Sequence, residues 1–228
     1  ASKSFPLTAV YRVMAQEGVG VDVAGCGEIA MALAGGVPGP DLLLHGNAKT
    51  SAEIAMALDA GVGLVVVDNE DDIDRLEALA QAPVDVLVRV RPGVGAATHA
   101  AMATATASSK FGLALPEARA AITRIERSPR LRLRGLHVHV GSQILQADPF
   151  VEAIAALGAL GDFEVYDLGG GLGERYSYAD PVLSLDDYLD AVVGAARAAL
   201  PAQARILLEP GRSVVARSAC TLYEVVSI

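Results

Sequence analysis

Short, unbroken aliphatic runs alternate along the chain with longer segments whose apolar residues recur at helical spacing. The runs fall at residues 19–23, 42–46, 64–68, 85–91, 133–140, 165–168 and 205–209. Helices are predicted over 7–16, 28–34, 51–60, 70–80, 115–126, 150–160 and 184–200. Local punctuation supports these limits. Pro6 can open the first helix and Gly18 stop it, Ser51 and Ser184 suit helix starts, and Asn69 precedes a first turn rich in acids. Residues 92–109 read as a long loop of Gly, Ala and Thr. Strands apolar on both faces belong to a parallel sheet covered by helices. Seven strand–helix pairs, with residues 1–5 read as the end of an eighth, predict an α/β fold: a (β/α)8 TIM-type barrel with its first strand truncated. An open doubly wound sheet is the competing architecture, but the opening Gly-rich turn with a distant acid that it would need is not convincing here.

Composition narrows this further. With 228 residues, 52% of them hydrophobic, only 4% aromatic and no Trp, the core must be built from aliphatic layers and alanine-faced helices. A net charge of −9 argues against a nucleic-acid partner and gives no reason to expect an anionic membrane surface. No apolar run reaches the roughly 20 residues of a membrane span. Cys26 and Cys220 are far apart and lack metal spacing, so they read as reduced, buried thiols of a cytoplasmic protein. The abrupt opening A-S-K-S-F and the apolar close at 221–228 read as cut ends, so a fragment is expected.

In a barrel the C-terminal strand ends converge on one mouth. Here they carry Lys3, Asp22, His45 with Asn47 and Lys49, Asp68, Arg89 with Arg91, His137 with His139, Asp167 before Gly169, Gly170 and Gly171, and Glu209 before Gly211 and Arg212. The glycine run is either a tight turn or a backbone nest for an anion. His137 and His139, two apart on a strand, face the same way and suit either a buried core or a stack on a flat ligand. No metal is expected, because His45 and His99 lack Cys or Glu partners at ligand spacing. Glu209 and Arg212 straddle a Pro-Gly turn. They are either an ion pair, or an acid for a ring nitrogen beside an arginine for a carboxylate or phosphate. Asp22 and Asp68 read as caps of the following helices. Lys3 is either a solvated charge or an amine for covalent carbonyl chemistry.

Taken together, A-S-K-S-F (1–5), H-G-N-A-K-T (45–50), H-V-H-V-G-S-Q (137–143), D-L-G-G-G-L-G (167–173) and E-P-G-R (209–212) resemble the diaminopimelate decarboxylase branch of the fold-type III pyridoxal-phosphate enzymes, whose barrel is alanine-racemase-like. The resemblance implies pyridoxal 5'-phosphate as cofactor. Lys3 would hold its aldehyde, His139 would stack on its ring, and Glu209 would pair with the ring nitrogen; these three form the implied catalytic set. Ser142 and the backbone of Gly169, Gly170 and Gly171 would cradle the phosphate, with help from the segment holding Gly211 and Arg212. Arg212 would bind phosphate or substrate carboxylate, and Asp22, Arg89 and Lys110 would support the cofactor. The implied reaction is decarboxylation of meso-2,6-diaminopimelate to L-lysine. A related ornithine, lysine or arginine decarboxylase, a natural-product enzyme of the branch and a non-catalytic cofactor-binding barrel are the alternatives. Ala48, Thr50 and the A-G-C-G-E segment depart from the branch pattern and leave room for a sister specificity. The resemblance further implies a homodimer with shared active sites. It divides the chain into a barrel, 1–212, and the start of a strand, 213–228, leading to a second β domain that supplies further substrate-binding residues.

Overall fold

A computed structural model of the chain describes residues 1–93, 109–218, 220 and 222–227. Most of the expected loop at 92–109, His99 included, lies outside them. A 3-10 turn at Ser2–Ser4 leads into α1 (Thr8–Gln16), followed by β1 (Val21–Val23), α2 (Cys26–Ala34), β2 (Leu42–Leu44), α3 (Ser51–Asp59), β3 (Leu64–Val67) and α4 (Glu70–Leu79). Then come β4 (Val84–Arg91), a two-residue β5 (Leu113–Ala114), α5 (Leu115–Arg127), β6 (Leu131–His137), α6 (Asp148–Gly158), β7 (Val165–Asp167), α7 (Leu185–Ala199), β8 (Arg205–Leu207) and the single-turn α8 (Arg212–Val215).

Every strand pairing is parallel, in the order β1-β2-β3-β4-β6-β7-β8, with β5 paired only to the end of β4. The sheet curls but stays open, as expected of an incomplete (β/α)8 barrel. Among the described residues β1 and β8 have no strand on their outer edges, and a groove of about 450 Å³ runs between them, lined by Tyr11, Val21 and Asp22 on one side and Leu207, Leu208 and Glu209 on the other. The opening residues, expected as a strand end, form the 3-10 turn instead and join no ladder.

Alternation along each strand decides what faces where. Leu42 and Leu44, Val65 and Val67, Val86 and Val88, Leu136 and Tyr166 point outward into one large core beneath the helices. Leu43, Val66, Leu87 and Val165 point inward and form a smaller plug with Leu64 and Leu207. Two residues beyond this plug, on the same inner face, stand His45, Asp68, Arg89, Asp167 and Glu209. His137 follows Gly135, which pairs in register with Leu87 and Val165. An apolar layer capped by an ionisable layer is thus written into the period of two.

The helix starts follow the expected chemistry with local changes. Thr50, rather than Ser51, caps α3 in a reciprocal capping box with Glu53. Asn69 caps α4 and Ser184 caps α7. Asp68 and Asp22 cap nothing. The α2 cap is Gly25, without a side-chain bond, and Asp68 turns inward to accept from Arg89 Nη1 at 3.0 Å and the Gly112 N–H at 2.7 Å. Inner-face parity outweighs capping at these strand ends.

Asp68 belongs to a buried charged chain. Lys49 Nζ donates to Asp72 Oδ2 at 2.6 Å and to the Gly46 carbonyl at 2.7 Å, and the same Asp72 oxygen accepts the Asp68 N–H at 3.0 Å. The Lys49 and Asp72 side chains are 1% and 0% exposed. Burial pulls the Lys49 ammonium below its ordinary range, and Asp72 opposes that shift. Asp72→Ala strands a buried ammonium and should destabilise the chain by about 3–5 kcal/mol, read from urea unfolding. A loss below about 1 kcal/mol would place this pair with exposed ones.

The two cysteines are free, as expected, but neither is buried. Cys26 opens α2 and is half-covered, and Cys220 is exposed. After α8, which forms a helical turn where a strand was expected, residues 222–227 adopt no regular structure and leave Leu222 and Tyr223 about nine-tenths exposed. No described helix is long and apolar enough to cross a membrane.

Candidate active site

The ionisable inner layer converges at the C-terminal strand ends. At its centre Glu209, just past β8, lies against His45 Nε2 from the end of β2, and His137 Nε2 of β6 stands 3.5 Å from its other oxygen. The two imidazoles meet edge to face, with centroids 4.9 Å apart. Asp167, at the end of β7, accepts the Gly169 N–H at 2.9 Å on one oxygen, and its other oxygen has no partner. Neither ring nitrogen of His137 makes a hydrogen bond.

These neighbours separate the two acids. Burial, then the nearby Glu209 charge, push the Asp167 carboxyl well above the usual carboxylate range. Burial would also raise Glu209, but the flanking His45 and His137 outweigh it and hold Glu209 well below that range. Burial pulls His137 down to about 4 and His139 to about 3, so both imidazoles are neutral at pH 7. The two buried acids are thus pushed in opposite directions, Glu209 down and Asp167 up.

His45, His137, Asp167 and Glu209 bring one donor atom each within 4.8 Å of one another, a set able to hold a divalent cation. Linear spacing gave no sign of it, because the donors come from four different strand ends.

At the mouth, the residues expected to hold an anion also come together. The Arg212 guanidinium lies 3.3–3.4 Å from Ser142 Oγ and donates to the Tyr176 hydroxyl at 2.7 Å. It forms no ion pair with Glu209, whose partners are the two histidines. Gln143 adopts φ of 60° and is tied in both directions to the Glu174 backbone, at 2.6 and 3.0 Å, which fixes the bend that presents Ser142. In the glycine run, the Gly169 N–H donates to Asp167 and the Gly170 N–H to His139 Nδ1 at 3.2 Å, leaving that of Gly171 without a partner among the described residues. A side chain on Gly170 would place its Cβ 2.2 Å from the Glu209 carbonyl, so the run also lets β7 close against the Glu209 turn.

Lys3 is exposed on the opening 3-10 turn, and its charge acts on His139. The turn is held from two sides. Asp22 Oδ1 accepts the Ser2 N–H at 2.7 Å, and Gly211 packs so closely that an added Cβ would meet Ser4 Cβ at 3.2 Å. Arg89 and Lys110 lie over the Phe111 ring, at 4.7 and 5.1 Å from its centroid. Sequence reasoning paired neither histidine with Glu209 and did not single out Tyr176. Only the place of His45, His137, Asp167 and Glu209 at converging strand ends pointed to the cluster.

The arrangement fits pyridoxal phosphate. It offers a cationic, hydroxyl-bearing rim for a phosphate, a buried carboxylate held ionised for a protonated ring nitrogen, and a lysine on the adjoining turn. Residues 1–216 match the family described as pyridoxal-dependent decarboxylase, pyridoxal binding domain. The diaminopimelate decarboxylase of Actinosynnema pretiosum subsp. auranticum is 42% identical over 245 residues, covering 100% of this chain and 55% of the relative; that of Mycobacterium leprae is 40% identical over 251, covering 100% and 53%. The chain thus spans about half the length of the curated relatives it matches. Among solved structures, diaminopimelate decarboxylase from Helicobacter pylori complexed with L-lysine superposes with a TM-score of 0.89 at 27% identity, over 95% of this chain and 57% of that one. Lysine/ornithine decarboxylase from Vibrio vulnificus complexed with putrescine gives 0.75 at 29%, over 92% and 55%.

Proposed function

Since this chain belongs to the pyridoxal-dependent decarboxylases, within their diaminopimelate decarboxylase branch, we propose that it forms the cofactor-binding part of an enzyme converting meso-2,6-diaminopimelate to L-lysine and carbon dioxide. The observation that carries this reading is the joining, in one inner layer, of an ionised Glu209 with a rim of Ser142 and Arg212 and an adjoining Lys3, in a chain whose curated relatives at 34–42% identity are diaminopimelate decarboxylases.

Lys3 holds the cofactor aldehyde. Glu209 faces the ring nitrogen and keeps a proton there, while His139, neutral and tied to the Gly170 N–H, covers the ring and excludes water. Ser142, the Gly171 N–H and Arg212 hold the phosphate. Arg212 is also the cation within this chain best placed for a substrate carboxylate. Gly169, Gly170 and Gly211 supply the close approaches that bring these groups together, and Asp22 fixes the turn carrying Lys3. When bound, pyridoxal phosphate supplies the electron sink for loss of carbon dioxide. The barrel occupies 1–212, residues 213–228 lead to a further domain, and the full-length enzyme works in the cytoplasm as a homodimer.

Similarity to the lysine/ornithine decarboxylase favours a second reading, a decarboxylase of a diamine-forming amino acid. Carbon dioxide release by the full-length gene product separates the two. A kcat/KM for meso-diaminopimelate at least about 100-fold above those for ornithine, lysine and arginine is expected. Preference for any of the other three would overturn the substrate assignment.

A further inference from the structure

We infer that His45 is a positioning residue for the reaction: from the end of β2 it clamps Glu209 across the open mouth, and so fixes the place of the acid that faces the cofactor ring. The inference rests on the proposed pyridoxal-phosphate reading and deepens it.

Four observations carry it. His45 Nε2 makes the direct contact with Glu209 Oε1, whereas His137 Nε2 stands farther off, 3.5 Å from Oε2. The His45 backbone is anchored, its N–H donating to the Val23 carbonyl at 2.7 Å, so the imidazole is presented from a fixed strand end. Glu209 is anchored too, through its N–H to the Gly169 carbonyl at 2.9 Å. Finally, the clamp is sheltered, with side chains 12% and 8% exposed, so water does little to screen it.

Other charged groups crowd this acid. Asp167 lies beside it, and Asp22 and Arg89 act on the same cluster. Without the His45 contact, Glu209 Oε1 would lose its direct neighbour and the carboxylate would be free to swing away from the place where the ring nitrogen would lie.

A clamp between β2 and β8 could also serve the fold alone, and a spectroscopic titration separates the two roles. Full-length wild type, His45→Leu and His45→Gln would be loaded with pyridoxal phosphate, and the visible absorption of the bound cofactor followed against pH. The Gln amide reaches the Nε2 position and keeps a donor there, and Leu removes it. The expected result is a midpoint moved by about one pH unit or more in His45→Leu, with kcat down about 10- to 100-fold, the usual range for losing an outer-shell partner, KM little changed, and substantial recovery of both in His45→Gln. A wild-type titration profile in His45→Leu, whatever its thermal stability, overturns the inference and leaves the cofactor reading intact. Failure of both variants to fold assigns His45 to the fold and overturns it equally. Absence of a bound-cofactor band in wild type would instead sink the cofactor reading on which the inference stands.

Discussion

Lys3→Ala in the full-length enzyme should leave pyridoxal phosphate bound without a covalent link and lower decarboxylation by at least about a thousandfold. The three lysines of this chain stand in different surroundings. Lys49 is sealed beneath the site, with Asp72 and the Gly46 carbonyl on its ammonium. Lys110 lies over the Phe111 ring. Lys3 alone sits on an exposed turn that is pinned on both sides, by Asp22 at Ser2 and by the close approach of Gly211 at Ser4, with its charge acting on His139. Reduction of the loaded wild-type enzyme with borohydride, followed by peptide mapping, should find the cofactor on the peptide containing Lys3. Attachment at any other lysine would refute the assignment. The pinning has a corollary: Asp22→Ala should loosen the turn and slow attachment without removing the amine.

Much of this arrangement was legible before any coordinates. Seven aliphatic runs became the seven principal strands because residues buried on both faces leave little room for ambiguity. The two-residue β5 carries no such signal; it pairs only through Val90 and Arg91 at the end of β4. The runs also overestimated strand length at their C-terminal ends: β2 stops at Leu44, β7 at Asp167 and β8 at Leu207. There the chain leaves the ladder to present polar groups, and hydrophobicity cannot register that departure. The caps were less secure. Asp68 follows a strand and precedes a helix, as a capping acid would, but its inward parity places it against Arg89. The sequence left the glycine run open between a tight turn and an anion nest; two of its N–H groups serve Asp167 and His139, a detail that no local pattern announces. The Glu209 clamp was the least visible feature. His45 and Glu209 are 164 residues apart, and only the curl of the sheet brings them together.

Glu209→Gln is expected to keep the cofactor and the Lys3 linkage while lowering the decarboxylation rate by about 10²–10³-fold. The substitution preserves shape and removes one charge, so the rim of Ser142 and Arg212 and the pinned opening turn should be undisturbed. What changes is the field at the ring nitrogen. A carboxylate lying against His45 makes a protonated ring favourable. A neutral amide does not, and electron withdrawal by the ring weakens accordingly. The same substitution should act on the second buried acid. Asp167 is raised first by its burial and next by the Glu209 charge, so removing that charge should bring Asp167 part of the way back toward the normal range. Infrared difference spectra across a pH series would show this as a carboxyl stretch lost at lower pH in the variant than in wild type. Undiminished turnover in Glu209→Gln would remove the acid from the reaction. Loss of cofactor binding would make it a structural residue of the cradle. A reduced rate with the cofactor retained and the Asp167 signal shifted would show that one charge, placed by His45 and shared with its acidic neighbour, sets the electronics of the site.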